Sequence, residues 1–317
     1  MAISSGKLFR GSAGYIIAAA LLSLALVACG GAPADAASST AAVVSAHSED
    51  APRPSGNSAT DGLNWINFRR QEAGLTLLQR NGRLDVAASG QSNYLQANKT
   101  VTHIQTVGKP AFTGVTLTDR LAASGYAFSR DGHVSGEVIA STGSSSGFNA
   151  ADELVTAIYH RFVVLEPMSK QAGVAVAGGS DGIYFTADMV ADGLDHGLGI
   201  GKFITYPVAD QELVPTVFHS DGEKPDPVPN HHDVGFPVSI HADLLSSVQV
   251  QRFTLRPHGG APLPVQLLTS ATDPNTPTSA AAIIPLDVLL ASTLYDVQFV
   301  GRVDGQPVSR SWQFSTQ

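Results

Sequence analysis

Gly143-Ser144-Ser145-Ser146-Gly147 carries the Gly-x-Ser-x-Gly spacing that lifts a serine nucleophile onto a strand-to-helix elbow. An elbow runs straight into its helix and needs an oxyanion-hole segment ahead of it. The one His-Gly-Gly, His258-Gly259-Gly260, lies far downstream, so five small residues in a row read more simply as a loop. His231-His232 and His241 are of a type that binds transition metals. Adjacent histidines do not easily face one ion, however, and this pair stands in a proline-rich stretch, which favours exposed polar side chains. Asp192, Asp195 and His196 read as a similar polar loop. The chain holds no HExxH, EF-hand loop or phosphate-binding glycine loop. Its single cysteine, Cys29, excludes intrachain disulfides and a CxxC metal ribbon. Net charge is −8 with no basic run, a poor match to nucleic-acid binding.

The elements that would position any site divide the chain in two, as 317 residues allow. Leu63–Arg70 reads as a helix stopped by Gly74, Leu84–Ala97 as a second helix with small alanines on its packed face, and Leu117–Ala123 as a third, ended by Gly125. Gly136–Ala140 reads as a strand. Asn149, with Asp152 three residues on, is expected to cap a fourth helix that buries Leu154, Val155 and Ile158. Gly173–Ala177 and Ile183–Val190 form a hairpin across a glycine-rich turn. Helices, a strand, a helix and a hairpin predict an α+β unit with helices on the faces of a small sheet. Pro225-Asp226-Pro227-Val228-Pro229 bars any helix from the connector. Beyond Gly235 the pattern becomes short strands: Pro237–His241, Val248–Leu255, Val265–Leu268, Leu294–Val303 and Ser309–Ser315, which predicts an all-β sandwich. Trp65 and Trp312 read as core residues.

The N-terminus reads as an address. Lys7 and Arg10 precede an apolar stretch, Ala13–Ala28, that ends in small residues. Leu26-Val27-Ala28-Cys29-Gly30 resembles a bacterial lipobox, which implies lipidation at Cys29 after removal of residues 1–28, a membrane tether through that lipid, and sorting to an outer membrane. Residues 29–59, rich in Ala, Ser, Pro and Gly, read as a flexible tether.

Residues 60–206 resemble the bacterial CAP (SCP-like) domain, of the cysteine-rich secretory, antigen 5 and pathogenesis-related superfamily. The matching pieces fall in order: Leu63–Arg70 with Ala73-Gly74-Leu75; Arg83–Ala88; Val101-Thr102-His103; Asp119-Arg120-Leu121 with Gly125-Tyr126; Gly136-Glu137-Val138-Ile139-Ala140; Tyr159-His160-Arg161; then Leu165-Glu166-Pro167 and Gly173-Val174-Ala175. The resemblance implies an α-β-α sandwich and a cleft built from two histidines and acidic residues. Carried onto this chain, it names His103, Glu137 and His160. Two imidazoles and a carboxylate would suit zinc or another divalent cation and leave a coordination position open. They could instead hold a structural polar cluster or, less in keeping with the residues, do acid–base work. Val138 departs from the family's asparagine, and Leu154 stands where many members carry tryptophan. The family's second acidic residue has no clear match. Glu153 lies about two helical turns before His160.

Leu294-Tyr295-Asp296-Val297 and Trp312-Gln313-Phe314-Ser315-Thr316 resemble the end of a bacterial Ig-like domain, covering residues 235–317 after a proline-rich connector at 207–234. The expectation is a cell-envelope lipoprotein acting as a binding module, with a metal, small-molecule, lipid or peptide ligand in its cleft. The alternative is a peptidase or cell-wall hydrolase using His103, Glu137 and His160.

Overall fold

A computed structural model describes residues 2–5, 51–130, 132–180, 182–194 and 197–317. Cys29 and the lipobox, most of the tether, and Asp195 and His196 lie outside the described residues. Ala2–Ser5, within the expected leader, form β1.

The first unit is a mixed α+β domain. Helix α1 (Ser58–Glu72) starts where the Asn57 side chain accepts from the Thr60 amide, and stops at Gly74, whose φ of 76° gives the left-handed turn beyond a helix end. β2 is Gln79–Arg80, α2 Gly82–Asn98 and α3 Leu117–Ala123, the last closed by a Thr116–Asp119 capping box. β3 is His133–Thr142, α4 Gly147–Thr156, α5 Ile158–Val164, β4 Gln171–Gly179 and β5 Gly182–Asp192. The sheet runs β1-β3-β5-β4-β2. Strand alternation sends Val138, Ala140, Phe185 and Ala187 into one core with α1, α4 and α5. Ile139 packs with Tyr94 and Leu95 of α2, and Val190 with Leu84 of α2 and Leu117 of α3, on the other face. The result is three layers, α-β-α.

Two local expectations are corrected. Ser146, not Asn149, caps α4, because its hydroxyl accepts from the Asn149 amide. The helix carrying Leu154 does not continue through His160. Ala157 takes an extended conformation (ψ 120°), so α5 begins afresh with no side-chain cap of its own from Ala157.

The second unit is β-rich. β6 (Ile204–Tyr206), β7 (Gln211–Val214), β8 (Val217–His219), β9 (Asp233–Gly235), β10 (Val238–His241), β11 (Val248–Pro257), β12 (Val265–Thr269), β13 (Ala280–Pro285), β14 (Leu294–Val303) and β15 (Gln306–Thr316) follow in order. They build two four-stranded sheets, β12-β13-β10-β6 and β11-β14-β15-β7, and the pair β8-β9. All pairings are antiparallel except β15 with β7. β13, Ala-Ala-Ala-Ile-Ile-Pro, escapes the alternation test because all six residues are buried. The sheets also take in β6 and β7, so strands of this unit begin ahead of Pro207. Trp65 and Trp312 are both buried. The Trp65 indole donates to Asp152, and that of Trp312 to the Pro207 carbonyl.

Candidate functional site

Two residues of α1 fix the frame of the site. The Asn67 side chain exchanges hydrogen bonds with the backbone of Leu78, both accepting and donating. Arg70, fully buried, donates to the carbonyls of Thr76, Val164, Glu166 and Ser169, and so pins the chain leaving α5. Burial lowers its pKa to about 10, which leaves it charged at neutral pH.

His103 lies in the segment after α2. The amide of Gln91 donates to the Thr102 carbonyl, and Arg120 donates to the carbonyl of His103 itself (3.3 Å), so the backbone is held from both sides. The ring Nδ1 is 2.8 Å from Oε1 of Glu137. Glu137 is fully buried on β3, and its other oxygen accepts from Arg120 Nη2 at 2.6 Å. With Arg120 donating to one oxygen of Glu137, the contact to the other is met by a proton on Nδ1 of His103, the tautomer that leaves Nε2 as a lone pair. Burial pushes the His103 pKa below its ordinary value, against the opposing pull of Glu137, and the charge of nearby His160 adds to the lowering. Asp188 stands directly across from Glu137 in the β3–β5 register. Burial, then the Glu137 charge, raise the Asp188 pKa well above its ordinary value, which makes Asp188 the member of the pair that holds a proton more readily.

His160 sits on α5, and its ring Nδ1 lies 3.0 Å from Oε1 of Glu223. The same oxygen accepts from the amides of Tyr159 (2.7 Å) and His160 (3.1 Å). Glu223, buried in the connector, therefore supplies the cap that Ala157 cannot, and orients the histidine with the same oxygen. Its Oε2 is buried and meets no donor among the described residues. Sequence reasoning missed Glu223. It is 63 residues from His160, in a proline-rich stretch, and no local spacing connects the two. Glu153, the nearer acid in sequence, sits on α4 and interacts with Thr142; burial raises its pKa.

Arg161, next to His160, turns the other way. It is fully buried and donates to the carbonyls of Val155, Thr156 and Pro237, while its guanidinium lies 4.8 Å from the ring centres of both Tyr206 and Phe236. α5 is thus the seam between the two units, and the second histidine stands on that seam.

The three residues expected to form a metal site are not equivalent. Glu137 spends one oxygen on His103 and the other on Arg120, which makes it the orienting partner of His103. Among the described residues no group of three or more His, Cys, Asp and Glu is arranged to hold a metal ion. Each imidazole is held by a carboxylate at Nδ1, and among the described residues neither Nε2 has a hydrogen-bond partner.

The other histidines and serines stand apart. His219 pairs with Asp233 and His232 with Asp221, all exposed. His241 is buried beside the Ser239 hydroxyl, and burial lowers its pKa to about 3. Ser144 accepts from the Ser146 amide and the Asn149 side chain, and the Ser145 carbonyl accepts from the Ser58 hydroxyl, so the glycine-serine loop is tied to α1 and α4.

Residues 63–189 match the family model described as CAP, the cysteine-rich secretory protein family. The match carries His103, Glu137 and His160 and stops short of Glu223. No curated protein matches the chain. Among solved structures, an extracellular protein containing an SCP domain from Bacillus anthracis is 24% identical, with a TM-score of 0.36 over 42% of this chain and 40% of that one. An outer surface protein from Borrelia burgdorferi is 15% identical, with a TM-score of 0.34 over 41% of this chain and 90% of that one. The chain therefore spans well under half the length of the Bacillus protein. Among the described residues no helix is long and apolar enough to cross a membrane. The first unit is a CAP-like domain over residues 63–189, in a chain that continues into a β-rich unit.

Proposed function

We propose that this chain is a cell-envelope lipoprotein, tethered through Cys29, whose CAP-like domain is a binding module. Its site is the pair His103 and His160. The second unit, read as an Ig-like sandwich over residues 235–317, completes the site through the connector at 207–234.

The observation that carries this reading is the matched pair of carboxylate–histidine contacts, Glu137 to His103 and Glu223 to His160. A carboxylate on Nδ1 fixes ring orientation and tautomer and raises the basicity of Nε2, the usual support for a metal-binding histidine. His103 and His160 would hold a divalent ion such as zinc. Bound there, the ion would act as a Lewis acid toward an electron-pair donor on a ligand. Glu137 and Glu223 would act behind the histidines. Val101, Ile104 and Val107, exposed around His103, offer apolar contact to a lipid or peptide bound beside them. Among the described residues no serine, threonine or cysteine side chain hydrogen-bonds either histidine ring, which supports binding over a hydrolase with a side-chain nucleophile.

Zinc titration by calorimetry tests the proposal. Tight one-to-one binding is expected, abolished in His103→Ala/His160→Ala and weakened about 10- to 100-fold in Glu223→Gln. Zinc binding unchanged by the double substitution, or none at all in the unsubstituted protein, would overturn it.

A further inference from the structure

The sheet of the first unit ends on β1, a strand drawn from the expected leader. Its backbone pairs antiparallel with β3: Ala2 with Glu137, Ile3 with Gly136, Ser4 with Ser135 and Ser5 with Val134. It also lies against α3, so β1 occupies a slot between the sheet edge and a helix. When Cys29 becomes the first residue, residues 1–28 are removed and this strand leaves with them. β3 stays paired with β5 along its other edge from His133 to Thr142, so the sheet keeps its frame and the slot opens. We propose that in the processed protein the slot binds an extended peptide of a partner protein, which adds to β3 as an antiparallel strand in the place of β1. This rests on the tethered reading given above and narrows its ligand to a peptide.

The backbone selects the ligand class. An edge strand that has lost its neighbour presents a row of unpaired N–H and C=O groups. Lipids and sugars carry no ladder of donors and acceptors at strand spacing, whereas an extended chain does. The two faces of β3 then select what that chain carries. Residues opposite each other on neighbouring strands share a face. A peptide residue opposite Gly136 meets no β3 side chain and faces α5, where Val163 packs so closely that a Cβ on Gly136 would lie 2.7 Å from it. An apolar residue suits that position. The residue before it, opposite Glu137, shares the face of the carboxylate that holds His103, so the leading end of the peptide lies at the histidine site. A small residue followed by an apolar one is the order of β1 itself, Ala2 then Ile3.

The test uses the processed chain, purified in detergent from the membrane fraction. Intact mass first establishes whether residues 1–28 are gone. If they are retained, the tethered reading fails and the proposal falls with it, because β1 is then a resident strand. The probe is the peptide Met-Ala-Ile-Ser-Ser-Gly-Lys, residues 1–7, labelled on its lysine. With the leader gone, fluorescence anisotropy should show saturable binding. N-methylation at both Ile3 and Ser4 removes whichever of the two amides faces β3 and should weaken binding about tenfold or more. Hydrogen exchange at Val134–Glu137 should slow when the unmodified peptide binds. With the leader gone, no saturable binding, or equal binding of the N-methylated peptide, would overturn the proposal. So would exchange at Val134–Glu137 that the peptide leaves unchanged: if already slow, the chain covers its own edge, and if still fast, the peptide binds elsewhere.

Discussion

At the scale of the residue, the buried pair Glu137 and Asp188 shows how one site uses two carboxyls differently. Arg120 and His103 both donate to Glu137, whereas Asp188, buried opposite it, receives no hydrogen bond among the described residues and has its pKa raised by burial and by the Glu137 charge. Asparagine therefore resembles the Asp188 already present, and Asp188→Asn should cost less than about 1 kcal/mol. Glutamine at 137 leaves Arg120 a buried charge without its partner, and Glu137→Gln should cost about 3–5 kcal/mol. Urea unfolding of the two variants checks the ranking; equal losses would mean that the charge sits on both acids or neither. Glu137 was legible because it stands in a strand with a recognisable surrounding motif. Its use was not, because Arg120 and Asp188 reach it from other elements, and no spacing shows that both its oxygens are spent.

At the scale of the element, α5 depends on a residue from outside the domain that contains it. Ala157 ends α4 in an extended conformation and has no side-chain oxygen with which to cap α5, so Glu223 accepts the amides of Tyr159 and His160. Glu223→Ala removes the cap and the ring contact together and should destabilise the protein by about 1–3 kcal/mol. Its loss should not add to that of His160→Ala, since both act through one contact; a double-mutant cycle by urea unfolding should return a coupling of about 0.5–3 kcal/mol. Additive losses would show that Glu223 only caps. Most elements of the first unit were readable from periodicity and stop signals: α3 and its ending at Gly125 fall where Leu117–Ala123 placed them. The break at Ala157 was not, because alanine favours helix and only the tertiary contacts of Arg161 and Glu223 reset the chain there. β13 was hidden for the opposite reason: buried on both faces, it has no alternation to read.

At the scale of the whole molecule, the two units share buried polar contacts, and these give the seam a pH signature. Glu166, from the turn after α5, accepts the amides of Met168 and of Leu244 in the β-rich unit. Burial raises its pKa from 4.5 to about 7. A carboxyl whose folded pKa lies above its unfolded value gives stability that is fully present below the unfolded value and is lost as pH rises through the folded one. Compared with the unsubstituted protein, Glu166→Gln should therefore gain relative stability between about pH 4.5 and 7, by about 3 kcal/mol at most. Urea unfolding at several pH values checks the sign; a difference independent of pH would show that folding leaves the Glu166 pKa where it stands in the unfolded chain. The same seam places His160 beside Glu223, so the central claim concerns two histidines supplied with carboxylates from two units and acting on one ligand. The most direct test is long-range nitrogen–proton NMR of the histidine rings during a zinc titration. His103 and His160 should begin as Nδ1-protonated tautomers, and their Nε2 resonances should shift together, complete at one equivalent. Nε2-protonated rings, or a shift confined to one histidine, would contradict that claim.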